Sequence, residues 1–127
     1  MSMSEQPARA DERVFLVVVD ESPEMRNALR YACRRAKRTG GRVAMLYVMD
    51  PPEGQQWGAV VDLMRQEARQ QAEDVVARHA DSAATLTGQP PTIHIREGKS
   101  RDELIKLIAE DRSISVLVLG GAVMRRL

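Results

Sequence analysis

The chain has 127 residues, nineteen basic against eighteen acidic, and a formal net charge of +1, which suits one domain and supplies no field to draw it onto nucleic acid or an anionic membrane. Its single cysteine, Cys33, excludes an internal disulfide, and no apolar run approaches the roughly 18 residues that span a bilayer. With no secretory leader in evidence either, the expected location is the cytoplasm.

Residues 1–13 are polar and lack apolar periodicity, so they read as a flexible tail ahead of one domain over 14–127. The run VFLVVV at 14–19 is unbroken and rich in β-branched residues, the pattern of a central strand buried on both faces. It ends abruptly on Asp20. Over 23–38 the apolar residues Met25, Ala28, Leu29, Ala32, Cys33 and Ala36 form one helical stripe, with Ser22 expected as N-cap and Pro23 at the first helical position. Gly40 and Gly41 stop that helix.

A second apolar strand over 43–49 ends at Asp50-Pro51-Pro52. After a loop at 53–58, the spacing predicts a long helix over 59–80 with Val60, Met64, Ala68, Ala72, Val75 and Val76 on one side and a solvated Arg, Gln and Glu face on the other. A loop over 81–91 leads to the alternating strand 92–96, the pattern of a sheet edge. Ser100 and Glu103 have the spacing of a capping box for a helix to Asp111 that buries Leu104, Ile105, Leu107 and Ile108. The last predicted strand, 114–119, halts at Gly120-Gly121.

Strands and helices thus alternate, which predicts an α/β fold: a doubly wound parallel sheet of three layers, with strand order 3-2-1-4. Ligands of such sheets bind beyond the carboxyl ends of the strands, where the strand order reverses. That rule makes Asp20, Glu21 and Ser22 candidates, with Asp50, Glu97-Gly98 and Gly120-Gly121, and it puts Asp20 and Gly120 in one crevice.

The stretches VFLVVVDESPEMRNALRYA, GGRVAMLYVMDP and TIHIREGKSRDELIKLIAEDRSISVLVLGG together resemble the universal stress protein family, in order and approximate spacing, over residues 14–121. The resemblance implies a stress-response module that binds ATP or another adenine nucleotide and pairs as a homodimer or with another protein. It also implies residue roles. Asp20 meets the ribose, with Ser22 in the same acidic-small-Ser motif; Val18 and Val48 line the adenine pocket; and Leu119, Gly120 and Gly121 begin the phosphate loop.

The pattern is departed from after Gly120. The family asks for a second glycine three residues on, and position 123 is Val. The later Gly-Ser pair and the fifth strand have no counterpart before Leu127, so the fourth strand is expected to be an open edge, covered by another chain or by the N-terminal tail. The alternative is an interaction module of the same fold without nucleotide binding.

A receiver-like domain is a remoter match to VVVDESPEMR, because Asp50 follows the second strand where a phosphoacceptor must end the third. His79 and His94 have no partners at ligand spacing, so no metal site is expected. Cys33 belongs to a buried stripe and reads as an inert thiol. Met25, Met45, Met49 and Met64 read as core filler, and Trp57 either packs over the cleft or is exposed. No catalytic triad or complete P-loop is present, so no enzyme is predicted.

Overall fold

Phe15, Leu16 and Val17, each wholly buried, anchor the first strand, β1 (Val14–Val18), and each contributes roughly 1.5–3 kcal/mol of burial. The structure, a computed structural model, describes residues 13–51, 58–120 and 122–125. The expected tail, the loop with Pro52 and Trp57, and Gly121 therefore lie outside the described residues, apart from Arg13 and Gly58.

After β1 come α1 (Met25–Thr39), β2 (Arg42–Met49), α2 (Ala59–Thr87), β3 (Thr92–Glu97), α3 (Ser100–Glu110), β4 (Ile114–Leu119) and β5 (Ala122–Arg125). They build one sheet of order β3-β2-β1-β4-β5. The first four strands are parallel, and β5 is antiparallel to β4.

The pleat of β1 sorts the core into two layers. Phe15, Val17 and Val19 face α1 and α2 together with Met25, Leu29, Ala32, Cys33, Val75 and Ala83. Val14, Leu16 and Val18 face the other way, with Ala44, Leu46, Leu107 and Leu117 under α3. The three-layer, doubly wound reading is correct, and β3 is an edge strand as its alternation requires.

The fifth strand corrects the four-stranded expectation. Leu119 pairs with Ala122 and Val118 with Val123, so only residues 120 and 121 separate β4 from β5. Two residues suffice for a hairpin but not for the crossover a parallel strand needs, so the new strand is antiparallel. It covers the β4 edge, which therefore needs neither another chain nor the N-terminal tail in that place. Val123, where the resemblance asks for glycine, is a strand residue of β5.

Three helix ends also differ from expectation. The N-cap of α1 is Glu24, without a side-chain cap bond; Ser22 instead sits in a turn before it, its carbonyl 3.2 Å from the Met25 N–H. The second helix runs on to Thr87, because Ala83 buries against the core and the stop comes only at Gly88, whose φ of 80° is left-handed. No capping box forms at α3, whose N-cap is Lys99. Glu103 turns to Lys106 at 3.2 Å and to Arg96 of β3 at 3.9 Å, and Arg96 reaches Glu110 at 2.7 Å. These pairs tie α3 to the edge strand.

Gly41 is required by close approach. A Cβ there would fall onto the carbonyl oxygen of Arg13, at the point where β2 starts beside β1. The Arg42 N–H donates to that same oxygen at 2.9 Å.

Candidate functional site

From β1 the chain passes outward through β2 to β3 and then returns across the sheet to β4 on the other side of β1. Strand order therefore reverses between β1 and β4. Asp20 stands at this place because the apolar run ends there: beyond the sheet a side chain is no longer enclosed, and a carboxylate is solvated at no cost. Its Oδ1 accepts the Ser22 N–H at 2.8 Å, a local turn that aims the carboxylate while leaving its other oxygen for a ligand.

Gly120, at the end of β4, closes on the same turn. A Cβ on it would stand 3.2 Å from the Glu24 Cβ and 3.8 Å from the Ser22 Oγ. The structure thus brings Ser22 and Gly120 together at the β1/β4 crevice beside Asp20. Val18, Val48 and Leu119 also gather, half-buried against Leu104 and Ile108 on the α3 face of the sheet. Gly121 lies outside the described residues.

On the opposite face, a cavity of about 570 Å³ opens between α1 and α2, with Asp20, Glu21 and Ser22 at its mouth. Its apolar wall is Met25, Leu29, Val75 and Leu86, and its basic wall is Arg26, Arg30 and Arg78 beside His79. The volume is in the range of small-molecule sites, roughly 300–1,000 Å³. Burial lowers the His79 pKa, and the neighbouring Arg78 and Arg26 lower it further while Asp20 opposes them, so the imidazole at this wall is neutral at pH 7.

Sequence reasoning did not single out these arginines. It assigned the polar face of the second helix to solvent, although Arg26 and Arg30 stand four apart beside the buried pair Met25 and Leu29, and Arg78, Ser82 and Leu86 repeat that spacing on α2. Such rows beside a core stripe were the available signal. What they share a cavity with is visible only once α1 and α2 are packed together.

A smaller cavity of about 240 Å³ lies past β2 and β3, lined by Met49, Asp50, Pro51, Met64 and Glu97 among others. Asp50 is thereby placed at a strand end but one cavity away from Asp20. Among the described residues no group of three or more His, Cys, Asp or Glu side chains is arranged to hold a metal ion.

The sheet order defines a doubly wound α/β protein whose strand order reverses between β1 and β4. The model of the universal stress protein family matches residues 12–127, and the chain belongs to that family. It is similar to the universal stress protein UspA from Lactobacillus plantarum, at 22% identity over 87% of this chain and 78% of that one, with a TM-score of 0.73. A universal stress protein family member from Burkholderia pseudomallei is 25% identical over 84% of this chain and 80% of its own, with a TM-score of 0.59. A universal stress protein solved in complex with cAMP is 19% identical, covering 84% of this chain and 74% of its own, with a TM-score of 0.52. No curated protein sequence matches this chain.

Proposed function

We propose that this protein is a stress-response module that binds ATP or another adenine nucleotide at the β1/β4 crevice, without turning it over. The observation that carries the reading is the Asp20 turn, fixed by the Ser22 N–H at 2.8 Å, standing at the switch point beside Gly120. A carboxylate held in that way accepts two vicinal hydroxyls well, the pattern a ribose offers. Val18, Val48 and Leu119 supply apolar ground for the adenine, and the family resemblance assigns the phosphates to the glycines that follow β4. The neighbour of the same fold that was solved with cAMP supports an adenine nucleotide as the ligand class. A cytoplasmic setting fits a chain in which no helix among the described residues is long and apolar enough to cross a membrane.

Calorimetric titration with ATP, ADP, AMP and cAMP tests this. At least one binds the wild type, and Asp20→Ala weakens that binding by about tenfold or more while the melting temperature holds, since Asp20 is exposed. A wild type that binds none of the four overturns the reading.

One observation favours a second reading, an interaction module that works through a second copy or another protein. All four residues of β5 are exposed, with Val123 at 46% and Met124 at 49%, on a strand whose outer edge is unpaired among the described residues. Absence of nucleotide binding together with concentration-dependent association in sedimentation would select it.

A further inference from the structure

We infer that the basic wall of the α1–α2 cavity, Arg26, Arg30 and Arg78, is a phosphate-binding site that holds the phosphates of the nucleotide in place of a complete glycine loop. The inference rests on the nucleotide reading and changes where the anionic end of the ligand goes.

Space and charge at Gly120 point away from that glycine. The Glu24 Cβ lies 3.2 Å from where a Gly120 Cβ would be, so the stem of an acidic side chain stands against that glycine. The glycine three residues further on is absent, and Val123 is engaged in β5 opposite Val118. A phosphate there would have an acidic residue as a neighbour.

The cavity on the other side of Asp20 has the opposite character. Three guanidinium groups from two helices line it, against the carboxylates of Asp20 and Glu21 at its mouth. None of the three arginines has a carboxylate within ion-pair distance among the described residues. Arg26 stands in the first turn of α1, two residues after the N-cap Glu24. Arg26 and Arg78 reach the same cavity from different helices. Arginine presents a planar fork of donors that matches phosphate oxygens in pairs. A ribose on Asp20 at the cavity mouth lets its phosphates turn inward to that wall.

Calorimetry with three probes, ATP, adenosine and inorganic tripolyphosphate, tests the site on the wild type, on the double variant Arg26→Gln/Arg78→Gln, on Arg30→Gln and on Arg101→Gln of α3 as a charge control. All four arginines are exposed, and circular dichroism melts confirm that each variant folds. Wild type binds ATP about tenfold or more tightly than adenosine. The double variant loses that advantage and loses tripolyphosphate, Arg30→Gln shows a smaller loss, adenosine affinity does not move, and Arg101→Gln changes nothing. ATP affinity unchanged in the double variant overturns the inference and leaves the nucleotide reading standing. Tripolyphosphate bound through the arginines with no binding of ATP overturns the nucleotide reading and with it the role of the arginines in holding a nucleotide, and failure of all three probes to bind overturns both as well.

Discussion

Cys33 faces the sheet from α1 with 1% of its surface exposed, and burial pushes its thiol up to about 11. At pH 8 the thiolate fraction is therefore on the order of one in a thousand, and the sulfur is shielded besides. The folded protein will not react with a thiol-disulfide reagent over a time in which the same chain in denaturant reacts completely; rapid reaction of the native form would place Cys33 outside the core. This residue was legible because the stripe of six apolar positions in α1 has only one way to face. Asp20 was legible for a different reason, since an acidic side chain directly after a buried strand has to sit at a strand end. Its partners were not. The Ser22 N–H contact came from a turn that competes with the expected N-cap, and Arg26, Arg30 and Arg78 become neighbours only through the packing of two helices.

At the scale of the element, α2 shows how periodicity misleads when only half a helix is covered. The spacing put Val60 and Met64 in one row with Ala72, Val75 and Val76. In the fold Val60 is 57% exposed, Leu63 55% and Met64 37%, while Ala72, Val75, Val76 and Ala83 are buried. The amino-terminal half of α2 extends past the part of the core that the second half packs on, so its helical hydrogen bonds are shielded mostly by solvent-facing side chains. Amide hydrogen exchange should accordingly be faster by about tenfold or more over residues 60–70 than over 72–86. Uniform protection along α2 would mean that another surface covers its first half. The extension to Thr87 escaped the sequence because Ser82, Thr85 and Thr87 are weak helix formers that read as loop residues. The burial of Ala83 makes that last stretch helical, as tertiary packing commonly does with weak propensity.

For the whole molecule, acid sensitivity follows from two histidines in different layers. His79 lies on α2, facing Arg78, Arg26 and Asp20. His94 lies on β3, near Arg96, Asp111 and Glu110, and its Nε2 is buried without a hydrogen-bond partner among the described residues. Burial is the largest cause of the lowered pKa in both. Unfolded, each titrates near the ordinary 6.5, so as the pH falls the unfolded chain takes up protons first and stability declines from that point until the lowered folded values are passed. Glu110, held below its ordinary value by Arg96, keeps its contribution until the pH drops under the ordinary carboxylate range and so does not mask the effect. The melting temperature should fall between about pH 7 and about pH 5.5, and the fall should shrink in His94→Gln. A melting temperature that is flat over that range would show both imidazoles charging without penalty.

The alternation of apolar runs with helical stripes by itself determined the doubly wound architecture, the central place of β1, the edge place of β3 and the position of Asp20, because each follows from side-chain period and from where an apolar run stops. Only the tertiary structure decided the fifth strand, the length of α2 and the composition of the cavity. An antiparallel strand of four residues has no period long enough to read, and a cavity wall assembled from two helices exists in the distances between them. Local spacing is written along the chain, whereas those distances are set by how the two layers of core fill the space on either side of the sheet.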